Sequence, residues 1–95
     1  MPKYISLLRF TEKGARAIKN SPKRAQAFKN AAARAGVKVE AQYWSTGAYD
    51  GILILSAATE KQALHCVSEL AAAGNVRTET LQLFEEKEFA AIVNG

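Results

Sequence analysis

Residues 37–55 read VKVEAQYWSTGAYDGILIL and decide the fold of this chain. Two runs of strand-forming residues, Val37–Trp44 and Ile52–Leu55, flank a segment that contains a glycine and an aspartate. A glycine between two such runs indicates a hairpin, because a tight turn needs a residue that tolerates positive φ. The segment Gly47–Asp50 therefore predicts a turn between two antiparallel strands. A phenol followed at once by a carboxylate is more than a turn needs, so this pair is also a candidate for a site.

The segments on either side of this hairpin predict further strands and helices. Lys3–Phe10 is rich in β-branched and aromatic residues, which favour a strand. Ser21 followed by Pro22 predicts the start of a helix with the serine as N-cap, and the spacing of Thr59 and Gln62 is that of a capping box. In chain order, the predicted elements are a strand at Lys3–Phe10, a short helix from Thr11 through Lys19, a helix from Ser21 to about Ala35, strands at Val37–Trp44 and Ile52–Leu55, a helix from Thr59 to Gly74, a strand at Val76–Phe84 and a helix at Glu85–Val93.

This order, β-α-β-β-α-β followed by a helix, predicts an α+β fold in a single domain that spans residues 1–95. Two right-handed crossovers place both helices on one face of a four-stranded antiparallel sheet, which is the ferredoxin-like arrangement. The two strands that this topology places centrally, Lys3–Phe10 and Ile52–Leu55, carry apolar residues on both faces. An uncovered apolar sheet face is a liability for a monomer, so we expect oligomerisation through that face.

Helical spacing identifies the side chains that are expected to be buried. They are Ala25, Phe28, Ala32 and Ala35 in the first helical region and Ala63, Leu64, Val67, Leu70 and Ala71 in the second. In the terminal helix, Phe89, Ile92 and Val93 are expected to pack on the domain.

The charge is distributed unevenly along the chain. The net charge is +4, but residues 1–36 carry nine basic groups and one acid, whereas residues 37–95 carry four basic groups and eight acids. A basic helix can attract nucleic acid, but no base-stacking aromatic residues interleave with these lysines and arginines, which disfavours nucleic acid as a partner. Complementary charges that meet in an oligomer are the better explanation of this asymmetry.

Composition excludes several classes of protein and of site. With 48% hydrophobic and 23% charged residues, the chain is an ordinary globular domain, and no apolar run approaches the length of a membrane span. Met1–Tyr4 leads directly into a strand, so no signal peptide is visible and a cytoplasmic location is expected. A single cysteine, Cys66, and a single histidine, His65, exclude an internal disulfide and a Cys- or His-cluster metal site. There is no phosphate loop and no catalytic triad, so no cofactor is expected and no motif supports catalysis.

Five polar residues are the first candidates for a site. Asp50 could serve as a general base or hold a ligand with Tyr49 as a donor, but an aspartate at a strand start commonly accepts backbone amides, and we favour that structural role. Arg77 and Glu79 are two apart on one strand and share a face, with Arg9 expected nearby. This group could bind a carboxylate or phosphate through bidentate contacts, or form ion pairs between strands or subunits.

Trp44 is the sixth candidate. It follows Tyr43 in the same strand, so the two aromatic side chains project to opposite faces of the sheet. One of them is expected in the core or an interface, and the other lining a pocket between subunits.

Three blocks of sequence resemble one known family over essentially the whole chain. They are Tyr4–Thr11, Gly47–Asp50 and Gly74–Leu81, and in this order they resemble the GYD domain family of small bacterial and archaeal proteins. The resemblance implies the ferredoxin-like fold of the dimeric α/β-barrel type, in which two sheets pack face to face. It implies no particular activity.

Three functions are compatible with these observations. The first is a homo-oligomeric module, regulatory or binding a small and perhaps anionic ligand, with its site between packed sheets. The second is a structural or protein-interaction subunit that uses the charge asymmetry. The third, by analogy of fold alone, is a cofactor-free enzyme of the monooxygenase or isomerase kind.

Overall fold

The computed structural model describes all 95 residues, and its strands and helices follow the predicted order. The strands are β1 (Lys3–Phe10), β2 (Lys38–Trp44), β3 (Gly51–Ser56) and β4 (Val76–Leu83). The helices are α1 (Glu12–Arg16), α2 (Ser21–Arg34), α3 (Glu60–Ala72) and α4 (Glu86–Asn94), and a 3-10 turn at Ile18–Asn20 joins α1 to α2. None of these helices combines the length and the apolar character that crossing a bilayer requires.

The four strands form one antiparallel sheet in the order β2-β3-β1-β4, which confirms the ferredoxin-like prediction. In this sheet Ile5 lies opposite Ile54 and Leu81, and Leu7 lies opposite Ile52, so all five project to the same side. The residues of β1 and β3 that project to the other side of the sheet are mostly buried under the helices, whereas these five are half-buried or exposed. We call the surface formed by these five residues the open face.

The hydrophobic core lies between the other side of the sheet and helices α2 and α3. The sheet contributes Tyr4, Leu53 and Leu55, and the helices contribute mainly small side chains such as Ala32 and Ala63. Small residues allow the helices to approach the sheet closely, which suits a chain of this length because its core has few large side chains.

Strand β2 contains a β-bulge that changes which of its side chains face the core. Val39 lies opposite Leu55, but the next paired residue, Ala41, lies opposite Ile54 and therefore on the side of the open face. Glu40 is the extra residue, and its carboxylate accepts a hydrogen bond from the Ser56 hydroxyl at 2.9 Å. After the bulge, the even-numbered residues of β2 face the helices, and Trp44 is one of them.

Three details of the helices differ from the prediction. Leu64 and Ala71 are exposed, although the buried residues of α3 are Ala63, Cys66 and Val67. Leu64 is rotated about 100° from Ala63, and Ala71 is in the last turn of the helix, beyond the last buried residue. The first helix ends at Arg16 rather than Lys19. Ser21 is the first residue of α2 and not a side-chain cap, because its hydroxyl accepts a hydrogen bond from the Trp44 indole instead.

The expected packing of the terminal helix on the domain is wrong. Every residue of α4 is exposed, and Phe89 retains 57% of its accessible surface. The helix is held at its start, where Lys3 Nζ lies 3.4 Å from Glu85 Oε1 and the Glu88 carboxylate accepts from the Glu85 N–H at 3.0 Å. Because β4 ends beside Lys3, α4 starts at the edge of the sheet and its apolar residues have no surface of this chain to cover.

The start of α1 is fastened to the turn that precedes β4. The Thr11 N–H donates to the Asn75 carbonyl at 3.1 Å, and the Thr11 hydroxyl donates to the Gly74 carbonyl at 2.6 Å. Gly14 packs against the same turn so closely that a Cβ there would lie 1.9 Å from the Asn75 oxygen. A residue without a side chain is therefore required at this contact.

Candidate functional site

Asp50 closes the hydrogen-bond ladder between β1 and β3. Its Oδ2 accepts from the Phe10 N–H at 2.8 Å, its own N–H donates to the Leu8 carbonyl at 2.8 Å, and its carbonyl accepts from the Ser45 N–H at 2.9 Å. The carboxylate thus takes the place of a backbone carbonyl at the point where β3 begins. This is the kind of backbone contact that the structural interpretation of Asp50 anticipated.

Tyr49 spans the sheet from the turn to the edge strand. Its hydroxyl donates to Glu79 Oε2 at 2.9 Å, so the ring crosses β1 to reach β4. The Arg9 guanidinium lies 4.6 Å from the centre of this ring, and Arg9 Nε donates to the Ala48 carbonyl at 3.0 Å. Three of the predicted site residues therefore form one cluster at the end of the open face, which we call the Arg9–Tyr49–Glu79 cluster.

This cluster favours a protonated phenol. The hydrogen bond to the Glu79 carboxylate raises the pKa of Tyr49, partial desolvation and the charge of Glu79 raise it further, and Arg9 opposes them. Tyr49 is therefore a hydrogen-bond donor at neutral pH rather than a base or a nucleophile. The arrangement is suited to holding a structure or a ligand in place.

Arg77 extends the cluster without being paired in it. It lies directly opposite Arg9 in the register of β1 and β4, so two arginines occupy neighbouring positions on the same face of the sheet. The ion pair that the sequence allowed between these strands is absent, because Glu79 is bonded to Tyr49 and the ion pairs of the chain lie elsewhere. Arg77 and the two terminal nitrogens of Arg9 are free to meet an anion.

Trp44 is separated from the other candidates. Its indole Nε1 donates to Ser21 Oγ at 2.9 Å, which places it on the helix side of the sheet. There it lines a cleft of about 370 Å³ between α2, α3 and the sheet. We call this the helix-side cleft; its lining includes Phe10, Phe28, Trp44, Leu53, Leu70 and Val76, and the backbone-bonded Asp50 is at the same end.

Sequence reasoning missed the helix-side cleft, although it named several of its residues as core. Phe28 and Leu70 were placed in the core by their spacing, and both are only partly buried because they line this cleft. The structure contains no cluster of three or more His, Cys, Asp or Glu side chains that could hold a metal ion.

Comparisons with known proteins agree on one family. The chain is 32% identical over 83 residues to the glutamine synthetase and cystathionine beta-lyase binding protein of Thermus thermophilus, an alignment that covers 86% of this chain and 87% of the relative. The crystal structure of TTHA0845 from Thermus thermophilus superposes with a TM-score of 0.59 at 25% identity, covering 90% of this chain and 95% of that one. The family model of the GYD domain matches residues 4–93. The chain therefore belongs to the GYD domain family.

Proposed function

We propose that this chain is a homo-oligomeric binding module that pairs through its open face and attaches to protein partners. The observation that carries the proposal is the open face itself, where Ile5, Leu7, Ile52 and Ile54 adjoin Leu81, which is 52% exposed. A contiguous apolar surface on a small protein marks an interaction site. A second copy supplies a self-complementary apolar partner, as in the dimeric α/β-barrel arrangement.

A small anionic ligand is the second part of this proposal. Arg77 and Arg9 lie side by side at one end of the open face, and the hydrogen bond from Tyr49 fixes the only nearby carboxylate of the cluster, that of Glu79. A copy packed on the open face would shield these guanidinium groups from water, which strengthens their attraction for a carboxylate or phosphate. Substituting Arg77 by Gln should then weaken anion binding without changing the fold.

The protein partners are suggested by the relative. Its name describes binding to glutamine synthetase and to cystathionine beta-lyase, and its alignment covers most of both chains. We infer that this chain docks on enzymes of the same kind and regulates or organises them. The Tyr49 hydroxyl bonded to Glu79 and the Asp50 carboxylate bonded to the backbone are both engaged within the chain, which favours such binding over catalysis.

Light scattering of purified variants tests the oligomer. Leu81→Lys places a charge on the exposed edge of the open face and should lower the assembled mass, because a lysine there must be desolvated on pairing. Leu64→Lys is the matched control, since Leu64 is 66% exposed on the helix side of the sheet. A dimer with a Kd of about 1 μM is mostly assembled at a protein concentration of about 10 μM. A wild-type chain that is monomeric at that concentration would refute pairing.

Surface binding assays test the partners separately. Immobilised wild-type chain is exposed to purified glutamine synthetase and cystathionine beta-lyase, with an unrelated enzyme of similar size as control. Binding to neither enzyme by an oligomeric chain would reject the partner proposal and leave the pairing proposal standing.

A further inference from the structure

The terminal helix α4 has the form of a helix that binds in a groove. Phe89, Ile92 and Val93 follow the spacing i, i+3, i+4 and all three are exposed on one side of it. Anchors at this spacing are how an amphipathic helix fills an apolar groove on another surface. Two acids at its start, Glu86 and Glu88, make no ion pair within the chain.

The helix-side cleft has the complementary properties. Several of its polar side chains are already bonded within the chain, among them Trp44 to Ser21 and Gln42 to the Ala25 carbonyl at 3.1 Å, while Glu69 and Asn75 of its lining are not. What is left for an occupant is mainly apolar surface, with the exposed Ala27 on the outer side of α2.

The charge around the cleft also matches α4. Helix α2 carries Lys23, Arg24, Lys29 and Arg34 and no acid, and Arg24 also lines the cleft. None of these four makes an ion pair with an acid of its own chain. The acids of the lining, Asp50 and Glu69, lie outside α2. The start of α4, where two acids flank Lys87, is therefore attracted to the α2 side of the cleft, and the attraction can select the occupant as well as speed its approach.

The α4 helix of the same chain does not reach this cleft. Val76, at the start of β4, lines the cleft, whereas Leu83, at its end, pairs with Lys3 at the opposite end of the sheet. Seven steps along a strand cover roughly 23 Å, and a helix of nine residues is only about 14 Å long. An α4 helix in the cleft must come from another copy.

We propose that α4 of one copy docks in the helix-side cleft of a second copy, with Phe89 inside the cleft and Glu86 and Glu88 beside the cations of α2. This inference rests on the proposed homo-oligomer and adds a second contact to it. The cleft and the open face are on opposite sides of the sheet, so one copy uses both at once. Two different contacts on each copy build an assembly larger than a dimer.

Paired substitutions test each side of the contact. Phe89→Ser removes the central anchor of α4, and Ala91→Ser on the opposite side of the same helix is its control. Ala31→Glu places an acid at the exposed edge of the cleft, and Ala33→Glu, exposed on α2 but outside the cleft, is its control. Sedimentation velocity should show that Phe89→Ser and Ala31→Glu each weaken assembly beyond the dimer by more than about tenfold, with both controls unchanged.

Disulfide trapping locates the docking surface. A Phe89→Cys chain is mixed with an Ala27→Cys chain and oxidised, and a mixed disulfide between the two chains is expected. Cys66 stays in all variants, because it is buried and a chain without added cysteine controls for it. The comparison mixture pairs Phe89→Cys with Leu81→Cys on the open face.

Two results would overturn this proposal. Preferential trapping of Phe89→Cys by Leu81→Cys would place α4 on the open face of the second copy. Loss of enzyme-partner binding in Phe89→Ser with the assembled mass unchanged would assign α4 to a different protein. Failure of the open-face proposal is recognised independently. The Phe89→Ser variant should keep only the open-face contact, so if that proposal is wrong, adding Leu81→Lys to this variant would leave its assembled mass unaltered.

Discussion

Replacing Asp50 by Ala tests whether this residue of the Gly47–Asp50 turn supports the fold or performs a function. The Asp50 carboxylate is the hydrogen-bond acceptor for the Phe10 N–H, at 2.8 Å in a partly buried position. Alanine leaves that N–H without a partner between β1 and β3. A buried donor left unsatisfied costs about 1–3 kcal/mol, and hydrogen bonds to charged groups fall in the upper part of that range.

The expected loss for Asp50→Ala is about 2 kcal/mol in the free energy of unfolding, which for a domain of this size lowers Tm by roughly 10 °C. Asp50→Asn keeps a neutral oxygen acceptor and should lose about half as much. Urea denaturation followed by circular dichroism gives both values, at one fixed protein concentration because assembly also stabilises the fold.

Hydrogen exchange provides the local readout. In Asp50→Ala the amide of Phe10 should exchange much faster than in the wild type, while amides in the middle of β1 change only with the global stability. The structural reasoning is refuted if Asp50→Ala unfolds within about 0.5 kcal/mol of the wild type and nevertheless loses binding to its partners. Asp50 would then belong to a functional surface.

Three further predictions concern one close backbone contact and two side chains whose pKa is raised. Gly14→Ala should destabilise the fold by about 3 kcal/mol in urea denaturation, because its Cβ would lie 1.9 Å from the Asn75 oxygen and the backbone must shift; wild-type stability would contradict this. The raised pKa of Tyr49 means that the protonated phenol, which is bonded to Glu79, stabilises the folded state. This stabilisation is fully present below about pH 10, the ordinary pKa of a tyrosine, and is lost as pH rises through the pKa of the folded state. Tyrosinate absorbance should therefore show that Tyr49 ionises at a higher pH in the wild type than in Glu79→Ala. Ionisation at the same pH in both proteins would contradict the hydrogen bond between Tyr49 and Glu79. Burial, with a smaller contribution from a nearby carboxylate, raises the pKa of Cys66, so a thiol reagent should modify it quickly only after denaturation; rapid reaction of the native chain would show that this thiol is accessible.

The elements that depend on local pattern were predictable from the sequence. Strand β1 has the predicted bounds, and Thr59 with Gln62 forms the predicted capping box, because both depend on residues close together in the chain. Leu64 was misplaced because helical spacing allows a wider apolar stripe than the sheet of this protein covers. The position of α4 was wrong for a related reason, since its apolar residues match no free surface of their own chain.

The site was predictable only in part because its geometry depends on side-chain contacts across the sheet. Neighbouring strands explain why Arg9, Arg77 and Glu79 were grouped correctly. The hydrogen bond from Tyr49 that occupies Glu79 joins residues 30 apart, and nothing in either segment specifies it. The sequence left open which side of the sheet Trp44 faces, because no sequence pattern reveals the bulge that turns it towards the helices.

The bulge at Glu40 has a consequence for how this family can diverge. Deleting that one residue would restore regular alternation in β2 and leave Tyr43 on the open face and Trp44 on the helix side, because the residues after the bulge already pair in register with β3. One codon can therefore be lost at this point without exchanging the aromatic residues of the two surfaces, whereas a deletion between Ala41 and Tyr43 would move one of them to the other face. Homologues that are one residue shorter at Glu40 can therefore keep the same aromatic residue on each surface.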